Sequence, residues 1–255
     1  MSFTSLTDVN ERQKQYIHAI NYYLGKTNCK IIFCENSNTD ICPFFNHNEN
    51  KKRLEFLTFS GNQDKQRGKG YGEAEIIEYA ILHSSFIHPN NIIIKITGRL
   101  IVNNVDQIIQ TLKYKKKDFV SCLFHSDLTF ADSRIILATT SFYEEFLHNK
   151  NKINDNDGMY FEHVLSSSVL NSSIPYIPLS DEPLITGESG STGERYQSHA
   201  TDTKQRLLYK CYSLMQLLEI NKKSNHRHTN RYHYYLVRFN IWRYKLLLKL
   251  YSYSF

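Results

Sequence analysis

The run IIIKITGRLIVNN, residues 92–104, places Lys95 and Arg99 at the end of a segment otherwise apolar enough for a buried strand. A cation there is expensive unless an anion meets it. Arg99 offers a planar fork and Lys95 a point charge. With the Thr97 hydroxyl and the close backbone approach that Gly98 permits, they could hold a phosphate leaving group without a metal. The same residues also fit a plainer arrangement, with Lys95 on an exposed edge strand and Arg99 paired with an acid of the body. A second candidate is GKGYGE (68–73). This glycine loop runs into a helical pattern, so its amides and the helix N-terminus suit an anion, and Glu73 suits the start of a helix. A third is GESGSTGE (187–194). Gly187, Ser189, Gly190, Ser191, Thr192 and Gly193 would make either a phosphate nest that folds over a ligand or a flexible linker.

Acidic and histidine clusters are less specific. HSDLTFADSR (125–134) contains Asp127, Asp132 and Arg134. Asp132-Ser133-Arg134 is an Asp-x-Asp pair whose second acid has become a cation. A divalent metal, Mg²⁺ or Mn²⁺, would have only Asp132 there and is not favoured. NDNDG (154–158) lacks the spaced acids and closing Glu of a calcium loop and reads as a turn. The 11 histidines, dense in NHRHTNRYH (225–233), include no His-x-x-x-His on a clean helical face with a nearby acid. They read as residues that add positive charge as pH falls.

The elements that must carry these groups follow from periodicity. Residues 7–24 have helical spacing and stop near Gly25. KIIFC (30–34), LEFLTF (54–59), NIIIKIT (91–97), DFVSCLF (118–124) and SRIILAT (133–139) read as strands. EAEIIEYAILHSS (73–85), NVDQIIQTLKY (104–114) and SFYEEFLHN (141–149) read as helices. Strands alternating with helices predict an α/β domain with a mostly parallel sheet covered on both faces, its ligands at the carboxyl ends of the strands. Residues 175–198 read as a long loop. From 203 onward two helices are expected, divided near 221–230.

The chain has 255 residues, long enough for one large domain or one domain plus an appendage. It contains no apolar run of membrane-spanning length, and its start lacks the pattern of a secretory signal. The five cysteines include no Cys-x-x-Cys pair, which points to reduced thiols in a cytoplasmic protein. Eleven Lys and Arg against a single acid, Glu219, lie from Thr203 onward, so the overall +6 hides a mildly acidic body.

Read in order, TSLTDVNERQKQYIHAINYYL, KIIFCENSN, GKGYGEAEII, IIIKITGRLIVNN, GMYFEHVL and GESGSTGERY resemble the bacterial GT-A-type glycosyltransferases that build lipopolysaccharide O-antigens and capsular polysaccharides. The resemblance covers roughly residues 4–198. The Lys-[Ile/Leu]-Thr-Gly-Arg strand and the Gly-x-Gly-Glu loop are its most specific parts. It implies a GT-A-like catalytic domain over residues 1–200, with a nucleotide-sugar donor (a UDP-sugar first) and transfer to a lipid-linked oligosaccharide. It departs from the family at the start, where only MSFTS precedes the first helix, so the first strand is missing or reduced to a stub. Carried over by position, Glu35, Asn36, Ser37, Gly70 and Glu73 would lie at the nucleoside, although ENSN is equally compatible with a plain Asx-rich turn. Lys95, Thr97, Gly98, Arg99, Gly190 and Ser191 would bind the donor diphosphate. Glu162 would take the acceptor hydroxyl's proton, with Asp157 as second choice.

Residues 201–255 form the basic helical tail, in which aromatic rings from Tyr232 to Phe255 interleave with Lys and Arg. Such a mixture suits an anionic membrane surface on the inner face of the cytoplasmic membrane. The competing readings are nucleic acid, on phosphate contacts and base stacking, and an oligomer contact.

Overall fold

The computed structural model describes residues 8–45, 51–61, 64–112, 117–190, 192–198, 201–226 and 228–252. Whatever precedes the first helix, including a stub of a first strand, lies outside them. The fold is mixed α/β. Helix α1 (Val9–Lys26) is capped by the Asp8 carboxylate, which accepts from the Asn10 amide at 2.8 Å. It buries Ala19, Ile20 and Leu24, the last two in one cluster with Phe33 of strand β1 (Ile31–Glu35). β1 pairs in parallel with β2 (Leu54–Thr58), Phe33 opposite Phe56.

Helix α2 (Lys69–His83) begins four residues earlier than its periodicity suggests, with Gly68 as its cap at φ +91°. Gly70 and Gly72 therefore lie inside its first turn, and both are buried. Glycine is unfavourable in a helix, but a Cβ at Gly70 would lie 2.9 Å from Asp155 Oδ1 and 3.0 Å from the Phe161 amide nitrogen. Close packing of the turn against residues 153–161 overrides the propensity.

The run 92–104 is not one strand. β3 (Ile92–Ile96) ends before a turn, and β4 (Ile101–Val102) joins a different sheet. Tyr23 fixes that turn to α1, its hydroxyl donating to the Leu100 carbonyl and accepting from the Val102 amide, both at 2.9 Å. After α3 (Val105–Leu112) and the short β5 (Val120–Ser121) comes β6 (Ile135–Thr139), buried at every residue. β6 is central, antiparallel to β3 with Lys95 opposite Ile136, and antiparallel to β5. Helices α4 (Thr140–Leu147) and α5 (Phe161–Asn171) follow.

The stretch expected as a long loop contains β7 (Ile185–Glu188) and β8 (Arg195–Gln197), an antiparallel hairpin extending β4. Among the described strands, then, β1 and β2 form the one parallel ladder and the other ladders are antiparallel. A hairpin of such short strands, built around Gly and Ser, carries too little alternation to be read from sequence.

Helices α6 (Thr203–Lys223) and α7 (Arg231–Ser252) form a hairpin seated on the body. Cys211, Leu217, Ile220, Val237 and Ile241 belong to the same buried cluster as Phe142, Phe146, Phe161 and Val164. Polar contacts reinforce this seat. Gln216 Nε2 donates to the Phe124 carbonyl at 2.7 Å, and the Tyr176 amide donates to His228 Nδ1 at 2.9 Å. His228 is therefore a buried acceptor, and burial holds its imidazole below the ordinary value.

Candidate active site

The ammonium of Lys95 meets an anion of its own chain. Its Nζ bonds the Glu73 carboxylate and the Ser133 carbonyl, and lies 3.3 Å from Thr97 Oγ1 and 5.6 Å from the centre of the Phe161 ring. The Lys95 side chain is only 12% exposed and that of Glu73 28%. β3 points Lys95 inward from the sheet, and the first turns of α2 deliver Glu73 to it. Glu162, in the first turn of α5, joins the group through Ser133, whose Oγ donates to Glu162 Oε1 at 2.7 Å. Burial pushes the Glu162 carboxyl above the ordinary glutamate value. The Glu73 charge adds to that rise, while the Ser133 hydrogen bond and the Lys95 ammonium oppose it. A carboxylate so raised and still within reach of solvent is suited to accept a proton.

Arg99 belongs to a neighbouring, mainly cationic group that also contains the Asp155 carboxylate. Its guanidinium lies against the β7–β8 turn, where a Cβ on Gly190 would collide with Nη2. Its Nη1 is buried with no hydrogen-bond partner among the described residues. Lys69, one helical turn before Glu73 on the same face of α2, donates to the Gly190 carbonyl at 3.2 Å. Burial lowers the Lys69 pKa, and repulsion from Arg99 and Arg12 lowers it further, against the attraction of Asp155. Three cations thus converge on the start of α2, close to the Lys95–Glu73–Glu162 group.

Three amides of the turn are already taken. The Ser189 and Gly193 amides bond within it at 2.8 and 3.0 Å, and the Thr192 amide is held by Ser189 Oγ at 3.1 Å. Gly187, at φ +131°, packs over Leu100. Ser191 lies outside the described residues. The Gly70 amide of α2 is taken as well, because Asp155 Oδ2 accepts from it at 3.1 Å, and the Asp155 side chain fills the space a Cβ on Gly68 would take. Gly98 is required by close approach, a Cβ there meeting the Tyr16 ring at 3.0 Å.

Glu35 is occupied by its own loop. Its oxygens accept from the Ser37 and Thr39 amides, each at 2.7 Å, and from the Ser37 and Thr58 hydroxyls. Asn36 holds Gly61 through its carbonyl at 3.1 Å. This is the Asx-rich turn form of that segment. Beside it lies a cavity of about 400 Å³ whose lining includes Phe33, Thr39, Asp40, Phe56 and Thr58. Phe33, which lines this cavity, also lies 3.9 Å from the Cβ position of Gly98, so its ring stands between the cavity and the Lys-x-Thr-Gly-Arg turn.

The remaining acids are placed apart from the Glu162 group or already paired. Asp132 is bound by Arg134, whose Nε lies 2.9 Å from both carboxylate oxygens. Asp127 accepts from the Thr129 amide and hydroxyl. Asp157 closes an exposed turn with Asn154. Among the described residues no group of three or more His, Cys, Asp or Glu side chains could hold a metal ion. With Arg134 on Asp132, the donor set does not fit a divalent ion. Three of the five thiols are poor nucleophiles, since burial raises Cys34 to about 12 and pushes Cys122 and Cys211 up.

Five contributors escaped the sequence reading. Lys69 and Asp155 were hidden because the glycine loop is helix. Ser133 looked like filler between two charges. Tyr160 and His163, flanking Glu162, form a partly exposed ring shelf with Phe130 and His125, with centroids 4.8–5.4 Å apart. Their sequence signal was the aromatic cluster in GMYFEHVL. Comparison with protein families, curated proteins and solved structures finds no match for this chain.

Proposed function

We propose that the protein is a nucleotide-sugar-dependent glycosyltransferase with a GT-A-like catalytic domain, acting on a lipid-linked surface glycan at the inner face of the cytoplasmic membrane. The observation that carries this reading is the Lys95–Glu73 pair bonded through Ser133 to Glu162, with Lys69 one helical turn before Glu73 and in the field of Arg99 and Arg12. The resemblance of the sequence motifs to that enzyme class supports it.

In this reading the donor diphosphate lies on Arg99 and Lys69, with Arg12 behind them, and the nucleoside occupies the cavity beside Phe33 and Phe56. Lys95 changes role. Committed to Glu73 and the Ser133 carbonyl, it positions and tunes Glu162 instead of touching phosphate. The acceptor sugar stacks on the Tyr160–His163 shelf, as apolar sugar faces do on aromatic rings. Glu162 takes the proton of the acceptor hydroxyl as its oxygen attacks the anomeric carbon. The bond to the diphosphate breaks, and its electron pair leaves on the phosphate oxygen that Arg99 and Lys69 stabilise. No step is routed through a metal.

The test is release of nucleoside diphosphate and transfer of sugar by the purified protein across a panel of UDP-sugars, with and without EDTA. Sugar transfer that disappears in Glu162→Gln supports the reading. Absence of calorimetric binding of UDP and of every UDP-sugar overturns it.

A further inference from the structure

Helix α7 has two apolar faces, and among the described residues only one of them is packed against the body. Val237 and Ile241 are buried at 3% and 9% exposure, and Tyr244 packs on the same cluster. At 100° per residue the opposite side of the helix carries Tyr232, Tyr235, Phe239, Trp242, Leu246 and Leu250. These six are 44–74% exposed and recur every three or four residues along the helix. Arg238, Lys245 and Lys249 run along one flank of this stripe, Arg243 sits within it, and residues 231–252 contain no Asp or Glu. An apolar stripe of this length facing water marks a contact surface.

We propose that this outward face of α7 seats the protein on an anionic lipid surface. The helix would lie along the membrane, with Phe239, Trp242 and Leu246 at the boundary of headgroups and acyl chains and the flanking cations on headgroup phosphates. No helix among the described residues is long and apolar enough to cross a membrane, so α7 lies on the bilayer and does not span it. The charge pattern selects this occupant. A second copy of the helix would bring cation against cation with no acid to relieve the repulsion. A nucleic acid would call for cations at the centre of the face, where the structure mostly has rings and leucines. The seat stands on α7 alone, independent of the catalytic reading.

Trp242 is the sole tryptophan of the chain and reports on its own environment. The full-length protein is mixed with vesicles of phosphatidylcholine alone, or with about one third phosphatidylglycerol, without any sugar substrate. The expected result is a blue shift of Trp242 emission and co-flotation with the anionic vesicles, both reversed by salt. Phe239→Ser and Leu246→Ser each weaken binding about tenfold. Arg238→Gln, Lys245→Gln and Lys249→Gln each weaken it about fivefold. All five positions face solvent, so circular dichroism and melting should match the parent. No emission shift with anionic vesicles overturns the proposal. So does equal binding to neutral vesicles, or a lipid-free shift that tracks dimer formation in sedimentation or added RNA. Loss of vesicle binding with sugar transfer intact would separate this seat from the catalytic site.

Discussion

Replacing Lys95 by Met keeps the apolar stem and removes the ammonium that holds Glu73. The carboxylate left behind is 28% exposed, so water relieves part of its isolation. The expected cost is therefore about 3 kcal/mol, the lower end for breaking one side of a buried ion pair. For a chain of this length the unfolding entropy is roughly 0.5 kcal/mol per degree, so the melting temperature should fall by about 6 °C. Glu73→Leu strands the more buried partner, Lys95 at 12% exposure, and should cost at least as much. The double variant Lys95→Met/Glu73→Leu replaces the pair by apolar groups and should recover most of the loss, since such replacements are often neutral. Calorimetric melting of the four proteins closes the cycle, with an expected coupling of about 2 kcal/mol or more. A Lys95→Met protein melting within about 1 °C of the parent would show that the pair behaves as a solvated surface pair, and so would strictly additive singles. The assignment of Lys95 as a positioning residue would then fall.

The same two side chains act on Glu162 with opposite sign, so pH profiles of transfer should separate them. The acidic limb, where activity is lost as Glu162 takes up a proton, should lie above the ordinary 4.5; Lys95→Met should move it to higher pH and Glu73→Gln to lower pH, and shifts in one direction would contradict the arrangement. Arg99→Ala and Lys69→Ala should each weaken UDP binding about tenfold or more by calorimetry, the scale of one lost charge-assisted hydrogen bond, with little change in melting. Gly190→Ala pushes its new methyl onto the flexible end of Arg99 and should likewise weaken UDP while leaving the fold intact; unchanged affinity would place the diphosphate elsewhere. His228, whose pKa is depressed by burial, contributes stability above the ordinary 6.5 that is lost as pH falls below it, because the unfolded chain then takes up a proton that the folded chain refuses. Melting followed from pH 7.5 to 5.5 should therefore decline, and less steeply in His228→Gln.

The order of helices and strands from residue 8 to 252 was largely legible, because α1, β1, β2, β3, β6, α6 and α7 carry clean periodicity or unbroken apolar runs. Lys95 and Arg99 were legible as charges that an apolar setting makes costly, whereas Glu162 was reached only through the family resemblance of GMYFEHVL. Tertiary structure alone decided which anion each cation meets. Residue spacing within one strand cannot show that Glu73, a turn inside α2, reaches Lys95, or that a β-hairpin read as a loop brings Gly190 against Arg99. The glycines at 68–72 mean a loop by local propensity, and only packing against Asp155 and Phe161 makes them the start of a helix. The same holds for the last helix. Its sequence determines that cations and rings alternate. Only the burial of Val237 and Ile241 against the body decides which rings remain outside, because a helix has one side for each partner and the core takes the first.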